Sequence, residues 1–204
     1  MVNDKYKLLY SSGCISLDRF LLHEFHLSDS LTSFLVSFGL PVSDDKDPFL
    51  GIVFQQPCLQ QQKNQHFLVI ATEEWSENLN IGIDILSERV YTFSNDEKAK
   101  LINSSLEQFL FYLDATAYFL KSCSLPDTPA LTLTIDQSQK MLEDFRNGKI
   151  KPDIEKIQAR QKCEQLFHVE FRKLKNVLRK NDTQALKRNS WWSNILEEIE
   201  NGLI

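Results

Sequence analysis

The sequence predicts an α+β fold: an antiparallel sheet of about four strands packed by helices, followed by a C-terminal helical extension. Three observations predict it. Four short strand-like runs crowd into residues 51–94 with brief connections, which suits an antiparallel meander. Apolar residues recur at helical spacing on both sides of that block. Beyond residue 125 the pattern is almost wholly helical, so residues 1–124 read as the α+β core and residues 125–204 as an extension packed on it in one compact domain. With 204 residues, 42% of them apolar and 14 of them Phe, the chain can bury a real core, which excludes a disordered polypeptide.

The first element is "HLSDSLTSFLVSFGLP". Ser28 or Asp29 caps its start, and Leu31, Phe34, Leu35 and Phe38 share one helical face. Gly39 suits a left-handed C-terminal cap, and Pro41 prevents continuation. A polar loop, "SDDKDP", follows. "GIVFQQ" (51–56) and "HFLVIAT" (66–72) then read as strands joined by an exposed glutamine-rich loop, "PCLQQQKNQ". "NLNIGID" (78–84) and "RVYTFS" (89–94) read as a second hairpin, with Leu79, Ile81, Ile83 and Ile85 alternating at period two. One face of such a sheet needs helical cover.

"NSSLEQFLFYL" opens the next helix, with Ser104 and Glu107 matching a capping box. Leu106, Phe109, Leu110, Leu113, Ala117 and Leu120 form its stripe, while Phe111, Tyr112, Tyr118 and Phe119 add apolar groups off it. A helix greasy on more than one side is expected between the sheet and a later part of the chain. "SLPDTPALTLT" is a connector with an edge strand expected at 131–135. A helix capped by Asp136 stops near Gly148, a long amphipathic helix spans 153–180, and "NSWWSNILEEIENGLI" closes the chain with Asn189 or Ser190 as cap. Adjacent helical residues lie about 100° apart, so Trp192 is expected in the core, on one stripe with Ile195 and Ile199, and Trp191 outside it.

The formal charge of −5 is unevenly spread. Residues 1–124 hold 9 Lys+Arg against 16 Asp+Glu, a net of −7, and residues 125–204 a net of +2. That argues against direct nucleic-acid binding, which needs a basic footprint. Arg172, Lys173, Lys175, Arg179 and Lys180 on the long helix read as a solvated face. Cys14, Cys58, Cys123 and Cys163 form no C-x-x-C motif, and the expected compartment is the reducing cytoplasm. No apolar h-region opens the chain and no apolar run reaches the roughly 18 residues of a membrane span.

Candidate chemistry is sparse. His23 and His26 in "HEFH" are too few for a metal centre, and the phosphate-cradle and nucleophile-elbow motifs are missing. No cofactor or catalytic residue is therefore assigned. Glu73, Glu74 and Glu77 surround Trp75 just after a strand. This cluster admits three readings: a plain acidic loop, a partner contact anchored by a tryptophan, or acid–base work by paired carboxylates, to which Asp84 is a further candidate.

Several segments together resemble a known family. They are "GLP" (Gly39, Leu40, Pro41), "IGID", "RVYTF", "INSSLEQFLFYL" and "WWSNILEEIENGL", of which Asn103, Ser104, Ser105, Leu106 and Phe109 are the most specific piece. The order is similar to that of the SUKH superfamily (Smi1/Knr4-like), and within it the SUKH-4 group of bacterial immunity proteins. The resemblance spans about residues 28–203. It departs at "ILSERV", where Ser87 and Glu88 stand in place of an expected turn glycine, and at the glutamine-rich insert, residues 55–65. The resemblance implies a small α+β unit without enzymatic activity or cofactor, which neutralises a protein toxin of a polymorphic toxin system by binding it. Such toxins are often nucleases or nucleic-acid deaminases. An endogenous regulatory or adaptor role on the same scaffold is the alternative, and a hydrolase using Glu73 and Glu74 the third. An acidic surface accelerates capture of a basic partner. The expected partner-binding residues are Asp44, Asp45 and Asp47 in the first loop, with Glu73, Glu74, Trp75 and Glu77.

Overall fold

A computed structural model describes residues 6–42, 49–74, 79–94, 98–123, 133–149, 151 and 153–204. Its architecture is α+β. Strands β3 (Ile52–Gln62), β4 (Gln65–Glu73), β5 (Leu79–Asp84), β6 (Val90–Phe93) and β7 (Lys100–Asn103) form one antiparallel sheet in sequence order. A two-stranded piece pairs β1 (Cys14–Ile15) with β2 (Leu40–Pro41). The helices are α1 (Arg19–His23), α2 (Asp29–Phe38), α3 (Leu106–Ser122), α4 (Ile135–Arg146), α5 (Ile154–Asn181) and α6 (Trp191–Glu200).

The sheet thus has five strands where four were expected. The fifth, β7, offers only Leu101 and Ile102 as apolar residues and is held by pairing with β6. The glutamine tract corrects a second expectation. Residues 57–62 belong to β3, whose pairing runs out to Gln62↔Gln65, and only Lys63 and Asn64 form the turn. The glutamines hold this edge strand through their amides: Asn80 Nδ2 donates to Gln60 Oε1 and Gln61 Nε2 to the Lys63 carbonyl. Pro57 lies in the irregular stretch between Phe54 and Cys58, as befits a residue that cannot donate to a ladder.

Helix α2 begins and ends as its sequence dictates. Ser28 caps it by accepting from Leu31 N. Gly39 closes it at φ 68°, where a Cβ would lie 2.3 Å from the Ile15 carbonyl oxygen, so only glycine fits. The turn after Asp84 keeps a glycine-like conformation without a glycine. Glu88 takes φ 54°, and its carboxylate accepts from Ser28 N at 2.7 Å and Ser28 Oγ at 2.9 Å. A strained residue therefore ties the β5–β6 hairpin to the start of α2.

Helix α3 lies between the sheet and the extension, as its doubly apolar surface requires. Phe54 and Phe109 meet at 6.4 Å on the sheet side. On the other side Phe119 contacts Phe167 at 5.2 Å and Phe171 at 5.6 Å, and Tyr112 meets Trp192 at 5.0 Å. The N-terminal segment joins the same core through buried Tyr6, Leu9 and Tyr10. It is fixed by Asp114 of α3, whose carboxylate accepts from Leu8 N at 3.0 Å and Leu9 N at 3.1 Å. The opposite sheet face carries a smaller cluster of Phe67, Val69 and Phe93, with Phe67 stacked on Phe93 at 4.3 Å.

Local expectations are corrected at two helix starts. Ser105, not Ser104, caps α3 by accepting from Gln108 N. Thr134, not Asp136, caps α4, in a reciprocal capping box with Gln137. The edge strand expected at 131–135 does not form over its described part, since Ile135 already begins α4; residues 131 and 132 lie outside the described residues.

Candidate functional site

Three places require separate reading: a polar knot inside the molecule, an apolar surface on the extension, and a groove beside the sheet end. The knot absorbs the polar triplet that precedes α3. Asp182, at the end of α5, is buried, and its carboxylate accepts from Ser104 N at 2.7 Å, Ser104 Oγ at 3.0 Å, Asn103 Nδ2 at 3.2 Å and Gln184 N at 3.0 Å. Asn103 in turn accepts the indole N–H of Trp192 at 2.7 Å. The Tyr112 hydroxyl lies 2.6 Å from both the Leu178 and Asp182 carbonyl oxygens. A buried carboxylate is tolerated because four donors are turned on it. The most specific segment of the sequence thus serves structure, clasping the extension to the core.

The apolar surface lies on α4. No residue of α4 is buried. At 100° per residue, Ile135, Met141, Leu142 and Phe145 fall within one arc of roughly 120°, and all are exposed, Ile135 by 79% and Phe145 by 54%. Residues 154–163 of α5 are exposed as well, among them Ile154 and Ile157. Only the later half of α5 packs, through Phe167, Phe171, Leu174 and Leu178. A helix of 28 residues is about 42 Å long, so roughly a third of that length stands clear of the core.

The groove, about 470 Å³, runs between the end of the sheet and α6 and is lined by Glu73, Leu79, Thr92, Lys100, Trp191 and Glu198 among others. Strand β4 delivers Glu73 there as its last residue. Burial raises the Glu73 carboxyl above the ordinary carboxylate range, a hydrogen bond from the Trp191 side chain opposes the rise, and the charge of Glu198 adds to it. Thr92 is 5% exposed, and its hydroxyl has no hydrogen-bond partner among the described residues.

The expected partner-binding residues divide accordingly. Glu73 is half-buried in the groove, and the adjacent Glu74 is exposed. These neighbours therefore sit in different environments instead of forming one acidic patch. Asp44, Asp45, Asp47, Trp75 and Glu77 lie outside the described residues. Asp84 is the buried last residue of β5, and its carboxylate accepts from Ser87 N and Ser87 Oγ. Glu198 and Trp191, which complete the groove, were not singled out for it, because nothing local in α6 signals a strand end far earlier in the chain.

The remaining candidates reduce to surface. His23 ends α1 and His26 takes φ 53°, and no cluster of three metal-ligating side chains exists among the described residues. The basic run on α5 is partly paired: Lys173 with Glu170 at 2.7 Å and Lys175 with Glu200 at 3.3 Å. No described helix is long and apolar enough to cross a membrane. Comparison with protein-family models, with curated proteins and with solved structures finds no match.

Proposed function

We propose that this chain is an immunity protein of the SUKH-4 type, acting in the cytoplasm by binding a protein toxin and denying it substrate. The observation that carries the reading is the apolar stripe of α4, Ile135, Met141, Leu142 and Phe145, which folding leaves uncovered. An exposed apolar stripe of this kind marks a site of association. An amphipathic helix with an open stripe is a common means of engaging a partner. A stable complex buries about 1,200–2,000 Å² in total, and the acidic balance of residues 1–124 favours approach of a basic toxin such as a nuclease. The segment resemblance supplies the class of partner.

The test is capture from cells that hold the native gene neighbourhood. The tagged chain should retain one toxin at a stoichiometric ratio and reduce its activity to background on mixing. Recovery of an endogenous regulatory protein in its place selects the adaptor role. A toxin that stays fully active under excess chain contradicts the proposal.

One observation favours a second reading, a hydrolase. Glu73 and Glu198 share a groove, and the Glu73 carboxyl is raised, as in acid–base pairs. If chemistry at that groove matters, Glu73→Gln abolishes toxin neutralisation while binding persists. On the leading reading neutralisation follows binding in every variant.

A further inference from the structure

We propose that the groove between the sheet end and α6 is a binding site for a guanidinium group, carried either by free arginine or by an arginine side chain of a partner protein. The inference stands apart from the immunity reading, since it concerns a different surface and a different ligand chemistry.

Glu73 and Glu198 converge on one groove with no cation among the described residues bridging them. The charge of Glu198 adds to the rise of the Glu73 carboxyl, and a cation placed between them removes that repulsion. Lys100 also lines the groove, and its charge is not among the influences that move the Glu73 carboxyl, which are burial, Trp191 and Glu198. A metal ion is a poor occupant, because no group of three ligating side chains exists among the described residues.

The other groups select a planar organic cation. Trp191 is half-buried at the groove, held edge-on to Trp192 at 4.8 Å, and an indole beside carboxylates suits a guanidinium that stacks and donates at once. Thr92 provides an independent sign. Its side chain is more than nine-tenths buried, it lines the groove, and its hydroxyl oxygen lacks a partner among the described residues. Buried polar oxygens are as a rule paired, and once the Thr92 side chain turns its covered hydroxyl to the groove a guanidinium has N–H groups to spare for it. Asn194, on the same helix as Glu198, adds a neutral acceptor at the rim.

The experiment is a ¹H–¹⁵N titration of the full chain, following the Trp191 indole N–H, which Trp191→Phe identifies among the three tryptophans. The probes are Nα-acetyl-arginine N-methylamide, free L-arginine, and Nα-acetyl-citrulline N-methylamide as the uncharged isostere. The expected result is a saturable shift with at least one arginine probe and none with citrulline. Glu73→Gln/Glu198→Gln should abolish the shift, and the surface variant Glu198→Gln alone should weaken it about tenfold. Thr92→Val, which keeps shape and removes the hydroxyl, should weaken it severalfold. Tighter binding of the blocked probe assigns the site to a partner's side chain, and tighter binding of free arginine assigns it to the free amino acid. Equal shifts with arginine and citrulline, no shift with either, or an undiminished affinity in a folded Glu198→Gln chain overturns the proposal.

Discussion

The carboxylate of Asp182 accepts the backbone N–H of Ser104 at 2.7 Å, joining points 78 residues apart. Ser104 follows the last strand of the sheet, and Asp182 follows the longest helix of the extension. One carboxylate therefore ties the end of the sheet to the end of α5. With Asn103, Trp192 and Tyr112 around it, the join is a buried network in which each member satisfies another. Such networks fix one arrangement of packed elements when complete and are costly when broken.

Asp182→Ala is expected to lower unfolding free energy by about 3 kcal/mol, the usual scale for stranding buried donors around a lost carboxylate. The check is a urea melt with the midpoint shifted and the slope unchanged. A shift of only a few tenths of that size would show that the knot is incidental.

The two serines before α3 should separate by cost. Ser105→Ala removes a helix cap and should cost about 1 kcal/mol. Ser104→Ala removes a hydrogen bond to a buried charged group and should cost about 1.5–3 kcal/mol. Combined with Asp182→Ala, the Ser104 change should add almost nothing, whereas the Ser105 change should remain additive. Additivity at Ser104 contradicts the assignment.

Glu88 both strains the backbone and binds Ser28. Glu88→Gly and Glu88→Ala each lose that contact, but only alanine retains the left-handed penalty of about 1 kcal/mol. Thermal melts should therefore rank wild type above glycine and glycine above alanine. Equal stability of the two variants would place the hairpin's tension elsewhere.

At Glu73 the sign of the pH dependence is fixed by the raised carboxyl. The native state holds that proton more tightly than the unfolded chain does. Stability from this group is therefore greatest at acid pH and falls as pH rises from the ordinary carboxylate value through the raised one. Glu73→Gln removes the titration. Its melting temperature should exceed that of the wild type at pH 7, with the gap closing at pH 3. A gap independent of pH rules out burial of a charged Glu73 as the cause.

Much of the fold was legible because its signals are local. The period of α2, its Gly39 stop and the burial of Trp192 over Trp191 follow from spacing and caps alone. What was missed depends on distant partners. Ser104 and Ser105 each stand three residues before a residue able to complete a capping box, and the choice between them is made by Asp182. Strand β7 and the outer half of β3 lack an apolar alternation, and their backbones are ordered by neighbours already in the sheet. Glu73 was legible as an acidic residue at a strand end. Its environment was not, because Glu198 and Trp191 arrive from the last helix.

The central claim is that the molecule works through surface which its own folding leaves open. The most direct measurement is the dissociation constant of the complex with the captured toxin, by calorimetry, for the wild type and for Leu142→Asp/Phe145→Asp. Both side chains are exposed, so the double variant should melt as the wild type does, within about 0.5 kcal/mol per site. Its affinity should fall at least tenfold, about 1.4 kcal/mol. An unchanged dissociation constant in that folded variant would contradict the account.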